Sequence, residues 1–520
     1  MIRVAAETFS VVPRVGSLEE SMFDDKIRKV YTPIKTTLMF IEDDQTRLEA
    51  HPERAFWEIR ASKTKGLWFK KRPKTLFPDA SLGIIMSHFM CEFYFLSNLY
   101  RKHLATSLGI PKENTFFFSS HNHTDALLTE APRVYGARKY DACCSEDTLT
   151  PEGKDLLKAL VKSAQRLPGK VVPARVAWGV GHERRITYNR KGRRADGTTY
   201  LMREEDRLLM GKDFNGDIDD IVFVVAFIGA NGKPVSYLAE FTGHPATAYH
   251  PEIPIVHGDF PQVACDELSK AYGGVPVGFP QGCAGEMNSK GLVSLEPIDL
   301  KAARADLYGH YLGRTFIQAA KHLRYSTRDD ITFSRERVSL PFKKIPSERS
   351  LRRQIAKVND FLQRCEQADQ NALTCLGLNV ARNMSPKYRG GLLMPHKRWA
   401  EWALKFHTEK RLNDVPKSVG VDVTALRLGD VGIIGLACEP LCGIGRQIKR
   451  QTRLPVAVPC GYLDDSTSIG YVPDSPNNGD MDYQSSYYRY TTALLPYRDP
   501  AGDVLARASV RMLAQLARPT

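Results

Sequence analysis

The chain has 520 residues, 42% hydrophobic and 25% charged, with 73 Lys+Arg against 59 Asp+Glu and a formal net charge of +14. That balance is globular and excludes disordered, collagenous and low-complexity classes, and the length suffices to bury a large core without covalent staples. No apolar run approaches the about 18–20 residues that span a bilayer, and the first residues lack the basic region, apolar stretch and cleavage site of a secretory leader, so a cytoplasmic protein is expected.

Residues 3–12 and 36–41 read as strands, followed by a polar, basic insertion to about residue 80. The apolar run 82–87 (LGIIMS) is a buried-type strand, and 91–109 is a helix closed by Gly109 and Pro111. The next strand, 115–120 (TFFFSS), runs directly into His121-Asn122-His123-Thr124-Asp125. A helix over 151–167 starts at Pro151, and 171–181 is extended. Residues 221–229 and 235–243 pair around the turn 230–233 (ANGK). A short helix at 260–272, a strand at 275–282 and a long amphipathic helix at 299–324 follow. Further helices are expected near 347–367 and 397–411, a hairpin over 423–439 turning at Gly429-Asp430, a helix at 441–450, a strand at 454–463 and a terminal helix at 501–517. No repeat and no Pro/Gly/Ser linker divides the chain. The expected fold is α/β: one large catalytic domain over 1–520, mixed β-sheets flanked by helices, with insertions at about 43–80 and 340–415. Ten cysteines occur with no C-x-x-C, which reads as reduced thiols.

The positive charge concentrates in two runs. Residues 60–74 hold seven basic side chains, no acids, and Trp68 and Phe69; residues 184–194 hold six. Basic residues interleaved with aromatics can grip single-stranded nucleic acid, but no zinc finger, RNP-type motif or basic zipper accompanies them. The first run reads as exposed loop, and no nucleic-acid partner is expected.

Serine-hydrolase elbows, P-loops, H-E-x-x-H and post-strand G-x-G-x-x-G motifs are absent. What remains is polar residues at strand ends. His121 and His123 follow one apolar strand, and His244, His250 and His257 follow another. At i and i+2 of an extended segment two side chains face opposite ways unless the strand end twists, so one of His121 and His123 reads as a ligand and the other as its neighbour. Neutral imidazole is a common zinc ligand. Glu439 ends an apolar strand, where it is either metal-bound or paired, or an acid at the N-terminus of the next helix. The Gly-rich turn 279–290 carries Glu286 and Asn288, and the tyrosine-rich stretch from 461 reads as a long functional loop.

These blocks, in this order, resemble the catalytic domain of the neutral (non-lysosomal) ceramidase family. SSHNHTDAL is similar to that family's T-H-T-H-S-G-P strand end, EFTGHPAT to its second histidine segment, HGDFPQVACDEL to its A-D-Y-P-G helix start, FPQGCAGEMNS to its Q-G-x-x-G-D-V turn, and GLACEPLCGIGRQIK to its P-G-E-P segment. GYLDDSTSIGYVP with MDYQSS resembles its paired tyrosines. The resemblance implies Zn²⁺ held by His121, His244, Glu439 and Tyr471, with His123, Arg190 and Tyr483 lining the scissile bond. It also implies Asp259, Glu286 and Asn288 as supporting residues; Asp125, where the family has a small residue, is counted with them. A zinc-dependent amidohydrolase is expected, cleaving an N-acyl (amide) bond of a small-molecule substrate, which Arg190 would favour as an anion. Gly285-Glu286-Met287-Asn288 offers no serine nucleophile, Asp125 and Leu127 reshape the pocket mouth, and His257 replaces a small residue. The chain also ends before the family's C-terminal immunoglobulin-like domain. These departures imply a substrate other than ceramide. The alternatives are the same site acting on an ester, lactone or peptide-like bond, hydrolytically or by acyl transfer in a biosynthetic pathway, and a non-catalytic basic binding protein on the same fold.

Overall fold

The structure is a computed structural model that describes residues 2–19, 26–43, 81–90, 94–130, 145–193, 195, 199–292, 296–380, 384–474, 483–490, 494–498 and 500–517. The basic run 60–74, nearly all of the expected insertion at 43–80, Cys91, Cys143 and Cys144 lie outside the described residues. The seven described cysteines are free and buried, in keeping with reduced thiols.

Two sheets are stacked. The larger contains β1 (Ile2–Val11), β2 (Ile34–Asp43), β3 (Leu82–Ser87), β4 (Thr115–Ser119), β5 (Val172–His182), β6 (Ile221–Gly229), β7 (Pro234–Phe241), β8 (Val277–Gly278) and β9 (Arg324–Tyr325). Their order is β8-β7-β6-β5-β1-β2-β3-β4, with β9 also on β5; β3–β4 and β7–β8 are parallel pairs and the rest antiparallel. The smaller contains β10 (Ile331–Pro341), β11 (Ser418–Leu428), β12 (Val431–Leu436) and β13 (Val456–Cys460) in that order, with β12–β13 parallel.

The period of two sorts each strand's side chains between the faces. Phe116, Val225 and Ile433 point into one core between the sheets, with Val4, Ile41, Ile84, Phe333, Leu426 and Val458. Their neighbours Phe117, Val224 and Ile434 point outward and are covered by helices. Over the large sheet these are α1 (Tyr94–Leu108) and α2 (Pro151–Arg166) at one end. Beyond the short α3 (Glu204–Met210) come α4 (Asp259–Ala271) and α5 (Ile298–Lys321), which cover the other end. The small sheet's outer face is covered by α6 (Glu348–Glu366), α7 (Pro386–Thr408), α8 (Cys442–Gln451) and α9 (Ala501–Leu516). The result is four layers: helices, sheet, sheet, helices. None of the described helices is long and apolar enough to cross a membrane.

Most elements fall where periodicity places them, including Gly109 ending α1 at φ +70°. Three differ. The strand expected over 275–282 narrows to Val277–Gly278. β10 lies where no strand is expected, its centre masked by Ser334, Arg335, Glu336 and Arg337. Helix α7 begins at Pro386 rather than 397 and continues through Pro395. Proline in a helix interior costs a hydrogen bond, but burial of Leu392, Leu393 and Trp399 on either side holds the helix together. Trp399 is fully buried, packs edge-on to Tyr488 with ring centroids 4.9 Å apart and donates its indole N–H to the Leu494 carbonyl at 2.9 Å. Trp399→Ala should therefore lower the free energy of unfolding by about 3–5 kcal/mol, read from a urea titration; a loss below 1 kcal/mol would show that this layer is peripheral.

Candidate metal centre

The site lies where strand ends of both sheets meet. The segment after β13 joins them: Ser119 donates its N–H to the Tyr462 carbonyl, Asp464 its N–H to the Phe117 carbonyl and Gly461 its N–H to the Gln281 carbonyl. The Asp464 carboxylate accepts from Phe117 N–H at 2.8 Å and pairs with Arg101 of α1 and Arg335 of β10 at 3.0 and 3.1 Å. One buried carboxylate thus locks both sheets and a helix at the end that carries the site.

His121 follows β4 with φ +63°. That left-handed residue turns the chain, so His121 and His123 do not diverge as an extended i, i+2 pair would. Their rings approach to 4.8 Å, and the His244 ring lies 4.7 and 5.7 Å from them. The ligand nitrogens of the three fall within 4.8 Å of one another, a group that can hold a metal ion. Sequence spacing separates ligand from neighbour within the His121/His123 pair; the structure puts both at the centre.

His244 follows β7. Its Nδ1 lies 2.6 Å from the Ala284 carbonyl. A carbonyl can only accept, so Nδ1 carries the proton and the Nε2 lone pair faces inward, the arrangement a metal-ligating histidine takes. Burial first, then the Arg190 charge, pushes the pKa of His244 down to about 3, so the ring is neutral at physiological pH. His123 is likewise held well below its ordinary value by burial and by His121 and His244.

Glu439 stands just beyond β12. Glu439–Pro440 pairs in parallel with Tyr471–Val472, which sets Glu439 opposite Tyr471. Glu439 Oε2 lies 3.2 Å from His121 Nε2 and 3.7 Å from His244 Nε2, yet takes part in no well-aligned hydrogen bond. Burial opposes its charge, but His121 and His244 hold its pKa well below the usual carboxylate range. His244 Nε2 also accepts from Arg190 Nη2 at 3.4 Å, while Glu439 Oε2 is left unmatched; nitrogen with carboxylate oxygen is a donor set that suits Zn²⁺. The Tyr471 hydroxyl lies 3.4 Å from His244 Nε2, and burial raises its pKa well above the ordinary value.

Arg190 is the charged neighbour. Its Nη2 donates to the Gly285 carbonyl at 2.7 Å and to the Tyr471 hydroxyl at 2.8 Å, and its Nη1 to Asn288 Oδ1 at 3.3 Å. The guanidinium sits 5.5 Å from the ring centroids of both Tyr471 and Tyr483. Burial works against the charge, but Tyr471, Tyr483 and Glu439 keep its pKa above the ordinary arginine value.

Sequence comparison finds neither a matching family model nor a matching curated protein. Comparison of structures finds two ceramidases. A neutral ceramidase from Pseudomonas aeruginosa is similar over 99% of this chain and 74% of its own, with 13% identity and a TM-score of 0.58. A ceramidase complexed with C2 is similar over 99% of this chain and 75% of its own, with 13% identity and a TM-score of 0.61. The mixed α/β fold is that of the neutral ceramidases.

The supporting residues act one step out. Asp259 opens α4 and its Oδ2 accepts from Ala248 N–H at 2.9 Å, fixing the loop after His244. Glu286 accepts from Cys442 N–H at 2.9 Å at the start of α8; burial and Asp474 push its pKa up to about 7. Asp125 lies outside the centre and accepts from Met90 N–H at 2.6 Å. His250 and His257 are also structural: His250 Nδ1 accepts from Ile253 N–H, and the His257 carbonyl accepts from Asn122 and Thr124.

Two residues escape the sequence reading. Gln281 donates to the Ser120 carbonyl at 2.9 Å and the Gly243 carbonyl at 2.8 Å, so one amide clamps both histidine-bearing strand ends. Tyr462, at φ +57°, lays its ring 4.5 Å from that of His121. The glutamine stood inside a quoted motif, but its clamp joins segments 161 residues apart and leaves no local pattern.

Proposed function

We propose that residues 1–520 form one catalytic unit, a zinc-dependent amidohydrolase that cleaves an N-acyl (amide) bond in a small molecule other than ceramide. The observation that carries this reading is the convergence of His121 Nε2, His244 Nε2 and the unmatched Glu439 Oε2 beside a buried arginine. His121, His244, Glu439 and Tyr471 would hold the ion. When bound, it supplies Lewis acidity and brings the pKa of a water down to roughly 7.

The chain's own residues supply the rest. Arg190 is held by four acceptors, Gly285, Tyr471, Asn288 and His244 Nε2, so its cation is fixed before substrate arrives, which is what stabilising a developing oxyanion requires. Tyr483, beside Arg190, adds a hydroxyl to the same wall. His123, neutral and less buried than its neighbours, takes a proton on its ring nitrogen and returns it to the leaving amine. The products are a carboxylic acid and an amine. Tyr249 and Tyr388, whose hydroxyls meet at 3.0 Å, and Tyr487 and Tyr490 add polar aromatic groups around the site, which supports a substrate without a long aliphatic chain.

The test is metal content together with amine release across N-acyl amino acids, N-acyl sphingoid bases and ester analogues. About one equivalent of zinc and release of amine from the shorter, polar substrates are expected. A folded, metal-free protein, or a zinc protein that cleaves only ceramide, would sink the reading.

A further inference from the structure

The basic run at 184–194 does not all belong to Arg190. It is divided by a short antiparallel ribbon, Thr187–Asn189 paired with Met287–Ser289. One end of the ribbon delivers Arg190 to the metal centre, where its N–H bonds the Glu286 carbonyl at 2.9 Å. The other end is closed by Lys290 N–H on the Ile186 carbonyl at 2.7 Å and opens on a separate cavity of about 560 Å³. That volume is the size of a small-molecule site.

Six basic residues line this cavity: Arg184, Arg185, Arg207, Lys212, Lys290 and Arg304. Three acids do: Glu204 and Glu296 are committed, and Asp213 offsets part of the remaining charge. Glu204 takes Arg207 through both oxygens at 2.6 and 2.9 Å, and Glu296 takes Arg304. Arg184 and Arg185 are held by Asp220 and Glu183, which are not part of the lining, and Arg185 is further fixed 4.4 Å over the Tyr311 ring. Lys212 and Lys290 stand in no ion pair among the described residues, although Glu204, Asp213 and Glu183 act on Lys290 electrostatically from further away. Lys290 is half-buried, and burial with the Arg207 charge lowers its pKa, a cost that an incoming anion would relieve. The charge therefore gathers around one solvent-open depression, and comes from separate segments of chain.

We propose that this cavity is a second ligand site, distinct from the metal centre, that binds the phosphate group of a phosphorylated small molecule. A multiply charged oxyanion matches several cations converging on one volume, and a single depression of about 560 Å³ has the extent of a small ligand rather than of the extended groove that tracks a nucleic-acid strand. The proposal is independent of the reaction assigned to the metal centre.

The probe is inorganic phosphate, titrated against chloride at matched ionic strength, with the thermal midpoint as readout. A saturable rise specific to phosphate is expected, weakened by about tenfold or more in affinity in the double variant Lys212→Gln/Lys290→Gln. Lys212 is exposed, so Lys212→Gln alone serves if the double variant does not fold. Equal stabilisation by phosphate and chloride overturns the proposal, as does wild-type phosphate affinity in the variant that folds. So does salt-dependent oligonucleotide binding, lost in the variant, without a saturable phosphate response.

Discussion

His244→Ala is expected to strip the bound ion and lower amide hydrolysis by about a thousandfold or more. His244 is a buried, neutral imidazole with Nδ1 tied to Ala284 and Nε2 aimed at Glu439, so no neighbour can replace it. The substitution also removes one of the two donors to the Ala284 carbonyl, which keeps Met287 N–H at 3.0 Å, and empties a buried site. A fall in activity alone would therefore not separate chemistry from folding. Glu439→Gln separates them: it keeps the shape and removes the charge, and should lose zinc while the urea midpoint stays within a small margin of wild type. The check is metal stoichiometry, circular dichroism and amine release on the same preparations. Full zinc occupancy in both variants would show that the ion sits elsewhere, and that His121, His123 and His244 are a packed histidine cluster.

The elements at the centre were legible because each is announced locally. An uninterrupted apolar run ending in a histidine or glutamate (TFFFSS before His121, GIIGLACE ending at Glu439) marks a buried strand that stops at a polar site. What was not legible is set by distant partners. β10 reads as polar because Arg335 is in its centre, and that charge is tolerable through Asp464, 129 residues on, and the Thr115 carbonyl at 2.7 Å. Helix α7 reads as starting after Pro395 because its compensation is tertiary: Trp399 packed edge-on to Tyr488 and donating to the Leu494 carbonyl. The left-handed turn at His121 is invisible in an H-x-H pattern, yet it decides that both histidines face the centre. In each case the chain departs from a local rule, and a contact from a distant segment offsets the cost.

Arg190→Gln is expected to lower kcat by about 10²–10³-fold while leaving zinc affinity unchanged or tighter. The two directions follow from one charge. Arg190 favours negative charge developing on the substrate oxygen, but the same field repels protons from His244, whose pKa it depresses, and so repels a cation held by that ring. Removing it should therefore cost catalysis and spare or aid the metal. A purely structural role predicts otherwise. Arg190 bridges Gly285, Asn288, Tyr471 and His244 Nε2, and Gly285 N–H bonds the carbonyl of Pro440, next to Glu439, at 3.0 Å. If that bridge only held the ligands in place, its loss would weaken zinc and kcat together. Arg190→Lys completes the series. It keeps the charge but cannot reach four acceptors from one flat fork, so zinc affinity should match wild type and kcat should fall between wild type and Arg190→Gln. Zinc titrations against a competing chelator and steady-state kinetics on the best amide read both quantities. A parallel loss of zinc and kcat in the glutamine variant would reassign Arg190 from the scissile bond to the scaffold.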